Sequence, residues 1–405
     1  MPSQNTTTER LPITVYLLSL CNAYLYIGQS LLITVTALIG MQLAPDKQFA
    51  TLPLALQFFS IMCFSIPASL IMGRIGRRAG FMLAGCIGIF GASLALWSVL
   101  HEFFVGYCAA TICFGMFSAF ANYYRFTAAE VATPATKNVA ISLVMAGGVI
   151  AAFIGPNMAN WSSGMFDGRP FAGPFAVLIV VFMIGILTIS FAKLPRTTDT
   201  QQSSGGGRPL SLIARQPRFI VAVICQALGY ATMNLVMTAT PLAMQMHTYD
   251  MSQTAFVIQW HIVAMFGPSF FTGRLINRFG INAVLMTGVV AGFACVLLNL
   301  HGQTMSHFIA ALVLLGISWN FLFVGGTTLL TDTYELSEKS RAQAANDFIV
   351  FSIVTLTALS AGALYHNFGW RVINLSVLPF LSVACLAICW LWVQRTPQVY
   401  APTER

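Results

Sequence analysis

The sequence predicts an all-α membrane protein of about twelve transmembrane helices, built as two pseudo-symmetric six-helix bundles. Three observations predict it: extreme apolarity, charge-free intervals of spanning length, and a first half echoed by the second. Soluble domains carry roughly 25% charged residues, whereas this chain carries 8%, with 57% hydrophobic residues and a mean hydropathy of +0.77. Such a chain has too little polar surface to cover itself in water, so hydrocarbon must solvate much of it. The polar start, Met1 to Arg10, runs straight into apolar sequence with no cleavage-type signal.

A helix needs about 20 apolar residues to cross a bilayer. Asp, Glu, Lys and Arg are missing from 11–45, 48–73, 79–101, 103–124, 138–166, 170–192, 219–249 and 251–273, which supply spans one to eight. The uncharged interval 279–331 holds spans nine and ten, divided by the polar stretch Asn299 to His307. Spans eleven and twelve fall near 342–365 and 372–394. Helices are required because no backbone group can go unpaired in lipid.

The excess of positive charge marks topology, so no nucleic-acid partner is expected. With both termini cytoplasmic, 17 of the 20 Lys and Arg residues lie on the cytoplasmic side, and only Lys47, Arg169 and Arg371 lie outside. The central segment 194–217, with Ser203-Ser204-Gly205-Gly206-Gly207, reads as a flexible cytoplasmic linker between halves at 1–193 and 218–405. Glu130, Asp332 and Glu335 are expected at helix ends, facing water.

An internal repeat supports the division. Gly73, Arg74, Arg78 and Gly80 after span two match Gly273, Arg274, Arg278 and Gly280 after span eight at an offset of 200. Asn22, Tyr26 and Gln29 on span one echo Gln226, Tyr230 and Asn234 on span seven, with the two tyrosines 204 apart.

Two six-helix halves, a long central loop and these Gly-Arg loops resemble the major facilitator superfamily over essentially the whole chain. That family's loop reads Gly-x-x-x-Asp-Arg-x-Gly followed by two basic residues. Placed on Gly73, Arg78 and Gly80, it puts Arg77 at the Asp position and Phe81 at a basic one; Asn277 stands at the Asp position in the second copy. Gly147, Gly148, Gly155 and Pro156 partly resemble an antiporter motif, but Asn157 and Met158 replace its following glycines. The stretches around Gln216-Pro217-Arg218, Gln259-Trp260-His261, Trp319-Asn320 and Asn346-Asp347-Phe348 resemble a branch of bacterial transporters that includes a riboflavin importer.

The resemblance implies a central cavity lined by spans one, four, seven and ten. The polar and aromatic candidates are Asn22, Tyr26 and Gln29; Asn122 and Tyr123; Gln226, Tyr230 and Asn234; Gln259; and Trp319, Asn320 and Phe323. Spacings of three and four place Asn22, Tyr26 and Gln29 on one helical face of span one and Gln226, Tyr230 and Asn234 on one face of span seven, and the span-ten residues, with Thr327, share a face as well. The same amides could instead bond across helix interfaces. Amides and aromatic rings suit a neutral, flat, hydrogen-bonding solute, either imported riboflavin or, alternatively, an exported drug or metabolite. Arg125, His261 and Asp347, with the loop residues Gly73, Arg74, Arg78, Gly80, Gly273, Arg274 and Arg278, are candidates for gating or coupling, Asp347 because an acid within a membrane span is functional by default. Its partner is expected to be Arg341 or Arg125. Protons are a candidate second partner beside the solute and the bilayer, and a monomer in a bacterial inner membrane is expected.

Enzymatic chemistry has no foothold. The six histidines are scattered, no His-Glu-x-x-His occurs, and the nine cysteines sit singly, so neither a metal nor a cofactor is expected.

Overall fold

The computed structural model describes residues 11–46, 49, 52–169, 171–194, 207–249 and 251–394. Most of the expected linker, 195–206, lies outside the described residues. Its described end carries a short helix, Leu210–Ala214. Arg208 ties that end to Glu338 through Nε at 2.8 Å and Nη2 at 2.7 Å. These bonds hold the Glu338 carboxyl far below its ordinary range, at about 2.

Eleven described helices are long and apolar enough to cross a membrane. The first half contains span one (Ile13–Leu43), span two (Leu52–Ile75), span three (Arg77–Leu100) and span six (Ala172–Ser190). Span four is Phe104–Ala121 continued by Tyr124–Val131, and span five is Lys137–Ala146 continued by Gly148–Ser162. In the second half span seven is Pro217–Met246, span nine Ile281–His301 and span ten Met305–Leu330. Span eight supplies the twelfth crossing. Pro268 divides it into Met251–Phe266 and Ser269–Phe279, each too short to span alone. Span eleven lies in the first part of the long helix Lys339–Ser376, which leaves helical geometry at Gly369 (φ 73°, ψ −176°); span twelve runs over Asn367–Val393 and ends in the helix Leu378–Val393.

The halves meet along two seams, span two against span eleven and span five against span eight. Small residues permit close helix approach. A Cβ placed on Gly147 would lie 2.4 Å from the Ser19 carbonyl oxygen of span one.

The backbone corrects the register of the repeat. Gly76 (φ 86°, ψ 159°) ends span two and caps span three, and Gly280 (φ 84°, ψ 156°) does the same between spans eight and nine. These two glycines are 204 apart, like Tyr26 and Tyr230. The offset of 200 was one helical turn short. It arose because Gly and Arg recur closely enough in both loops to match at either spacing. Set on Gly76 and Gly280, the family's loop pattern places Arg77 and Arg78 at its two basic positions, opposite Ile281 and Asn282 in the second copy.

Both glycines occupy a backbone region closed to side chains, where strain costs on the order of 1–3 kcal/mol. Gly76→Ala or Gly280→Ala should therefore lower stability by about 1–3 kcal/mol, read as thermal unfolding in detergent. Gly185→Ala is the control, since its Cβ would meet only Tyr24, at 3.6 Å. It should leave the protein no less stable.

Candidate functional site

Two side chains of opposite formal charge, from opposite halves, meet inside the bundle. Arg125, on the short helix that continues span four, donates Nη2 to Asp347 Oδ1 of span eleven at 2.6 Å; the side chains are 3% and 1% exposed. The guanidinium also lies over Phe323, 4.3 Å from the ring centroid, and over Phe126 at 4.7 Å. Asn346 Nδ2 donates to the same Asp347 oxygen at 2.9 Å, and Gln226 Nε2 donates to Asn346 Oδ1 at 2.9 Å. Thr327 Oγ1 donates to Gln226 Oε1 at 3.2 Å. The network thus joins spans four, seven, ten and eleven. Its charges cancel, so the centre carries no uncompensated ion.

Against this network stands a cluster of rings. Tyr26 of span one touches Phe266 of span eight at 4.4 Å, a contact between halves. Phe266 meets Trp319 edge-on at 5.6 Å, and Trp319 stacks on Phe323 at 4.7 Å. Tyr230 meets Trp319 and Phe323 at 5.7 Å and Phe351 at 5.9 Å. Four buried polar atoms near these rings and ions make no described hydrogen bond: Trp319 Nε1, Arg125 Nε, Asp347 Oδ2 and Asn122 Nδ2. Buried polar atoms are nearly always paired. These four are three donors and one acceptor.

The other amides proposed for the cavity bond between helices. Asn22 Nδ2 donates to the Val144 carbonyl at 2.9 Å, and Gln29 Nε2 to Ser118 Oγ at 3.4 Å. Asn234 Nδ2 donates to Thr357 Oγ1 at 3.2 Å. Asn320 donates to the Met265 carbonyl at 2.8 Å and to Ser269 Oγ, and accepts from Thr272 Oγ1 at 2.7 Å. Tyr123 Oη donates to the Ser65 carbonyl at 3.0 Å and its ring lies beneath Arg77 at 5.1 Å. Gln259 is half-buried. His261 is fully buried, with Nδ1 at 2.8 Å from the Leu312 carbonyl.

The end of the bundle bearing the basic loops is tied shut between halves. Arg77 bonds Glu130 at 2.7 Å within the first half and reaches Gln343 of the second at 2.7 Å. Lys339 bonds Glu130 at 3.1 Å and Lys137 bonds Asp332 at 2.6 Å, both across the seam. Ser69 donates to the Ser340 carbonyl at 2.7 Å, and Asn138 donates to Asn277. Gly273 packs so closely there that a Cβ would lie 2.4 Å from the Asn138 carbonyl oxygen. A cavity of about 400 Å³ opens beside this seam, lined by residues of both halves including Lys137, Ile276 and Asp332.

Glu130 corrects an expectation: its side chain is only 10% exposed, because two cations from different segments enclose it. Arg74, Arg78, Arg274 and Arg278 are exposed, whereas Gly80 is buried and Gly73 half-buried. Arg78 donates to the Ser190 carbonyl, Arg274 to the Phe270 carbonyl at 3.2 Å, and Arg278 lies over Phe279. Sequence reasoning gave no gating role to Arg77, Glu130, Lys339 or Gln343 and did not single out Phe266 or Phe351. For Arg77 a signal existed in the loop pattern once its register was set on Gly76.

A model of the Major Facilitator Superfamily matches residues 18–301 and, in a second match, 224–405. The riboflavin transporter RfnT of Brucella anthropi is 36% identical over 359 residues, which are 88% of this chain and 90% of RfnT. Among solved structures, FucP in the outward conformation superposes with a TM-score of 0.73 at 14% identity, over 93% of this chain and 98% of FucP. The human organic anion transporter MFSD10 gives 0.75 at 11% identity, over 93% and 98% of the two chains.

Removing one member of a buried ion pair strands the other charge at a cost of about 3–5 kcal/mol, while replacing both with apolar residues is often neutral. Arg125→Leu or Asp347→Leu alone should therefore lower stability by about 3–5 kcal/mol. The double variant R125L/D347L should recover most of that loss, measured by thermal unfolding in detergent.

Proposed function

Because the chain belongs to the major facilitator superfamily, whose members are multi-pass membrane transporters, we propose that it takes up riboflavin across a bacterial inner membrane. The supporting observation is the central group of Tyr26, Tyr230, Phe266, Trp319 and Phe323 beside buried donors without a described partner and the Arg125–Asp347 pair. A flat neutral ring system gains from rings at its faces and from hydrogen bonds at its edge. An isolated anion or cation would find no countercharge to spare. The similarity to RfnT supports the same cargo.

In this reading the basic end is cytoplasmic, following the distribution of Lys and Arg. The seam through Arg77, Glu130, Lys339, Lys137 and Asp332 closes the cytoplasmic side, and the solute enters from the other. Transport then requires these bonds to break while the opposite ends of the halves approach. The two short segments of spans four, five and eight give the bundle its places to bend.

Expression in a riboflavin-auxotrophic bacterium should permit growth on low external riboflavin and give saturable uptake of radiolabelled vitamin. Trp319→Ala should reduce uptake about tenfold or more, in line with about 1–3 kcal/mol for one aromatic stacking contact. Failure of the wild-type protein to rescue growth would overturn the assignment.

A further inference from the structure

The Arg125–Asp347 pair is only half satisfied. An arginine and a carboxylate can pair through two parallel hydrogen bonds, but here a single bond is described, from Nη2 to Oδ1. Asp347 Oδ1 is used twice, accepting from Arg125 and from Asn346, while Oδ2 is left over. Arg125 Nε is left over on the other side. Trp319 Nε1 is unpartnered too, and ring contact ties it to the pair: Trp319 stacks on Phe323, and the Arg125 guanidinium lies over the same Phe323 ring. Asn122, in the break of span four three residues before Arg125, contributes another donor without a described partner.

The spare atoms have a definite chemical pattern. Ionised Asp accepts only, and Arg Nε and Trp Nε1 donate only. The set is one acceptor accompanied by donors. Its complement is an acceptor–donor–acceptor edge, which is the pattern of a cyclic imide: an N–H between two carbonyl groups. The riboflavin ring carries such an edge at its N3 position.

We infer that Arg125, Asp347 and Trp319 read the imide edge of the solute, with Asp347 Oδ2 accepting from the imide N–H while Arg125 Nε and Trp319 Nε1 donate to the flanking carbonyls. This rests on the riboflavin reading and deepens it, since it names the part of the molecule that is recognised. It also links recognition to movement. The pair bridges the halves, so opening the closed end separates Arg125 from Asp347. Separated, each ion would lose its main partner in a poorly solvated place. A solute edge that bonds both ions replaces what they lose, so the protein can pass through the open state when the correct cargo is present. A solute of the same shape without the N–H cannot do this.

The test compares riboflavin with N3-methylriboflavin by fluorescence quenching on the purified full chain in nanodiscs. Hydrogen bonds to charged groups are strong enough that methylation should weaken binding about 10- to 100-fold in the wild-type protein. In R125L/D347L the two compounds should bind within about twofold of each other, as expected when the group that senses the methyl is gone. Wild-type affinities within about twofold of each other would overturn the imide inference and leave the riboflavin reading standing. Full discrimination persisting in R125L/D347L would overturn it as well. Absence of quenching by riboflavin in the wild-type protein would overturn both.

Discussion

The interaction on which this structure depends is the ion pair between Arg125 and Asp347, the most deeply buried ion pair between the halves among the described residues. In a poorly solvated interior, charges at hydrogen-bond distance attract strongly, but removing them from water costs several kcal/mol per ion. The pair contributes little net stability and much selectivity among conformations. It favours the arrangement that keeps the two ions together and penalises any that parts them unsolvated. Everything else at the closed end adds to this preference with weaker bonds nearer to water, from Lys339–Glu130 to Lys137–Asp332.

The ring cluster and the ion pair form one unit. Phe323 is shared between them, stacked on Trp319 and covered by the Arg125 guanidinium. Movement of Arg125 therefore disturbs the rings directly. A site for a flat solute beside such a pair is sensitive to the conformation of the halves without a separate relay. Tyr26 against Phe266 adds a second contact between halves within the same group of rings.

The fold was legible because lipid imposes a simple rule: charge-free runs must be helices of spanning length. Even span eight, cut by Pro268, was visible as the uncharged interval 251–273. The repeat was legible in kind but misplaced by a turn, since only the positive φ of Gly76 and Gly280 shows which glycine makes the bend. The site was harder to read. Tyr26, Tyr230, Trp319 and Phe323, which the structure brings into one group of rings, could be named as candidates because aromatic and polar residues recur on one face. Asn22, Asn234 and Asn320 share that spacing yet bond neighbouring helices, because the cavity-facing and helix-facing stripes of a packed helix adjoin and spacing alone does not separate them. Phe266 and Phe351 carried no signal among 32 phenylalanines. Glu130 was misjudged because its partners, Arg77 and Lys339, come from distant segments.

In the proposed transport cycle the basic end has to part, and the seam at Asn138 and Asn277 is where that parting can be blocked. Cysteines at these two positions, in a background with the exposed native cysteines replaced by serine, would be bridged by a short thiol cross-linker while riboflavin uptake into cells is followed. Bridging should stop uptake, and cleavage of a cleavable linker should restore it. Undiminished uptake by the fully bridged protein would contradict that cycle.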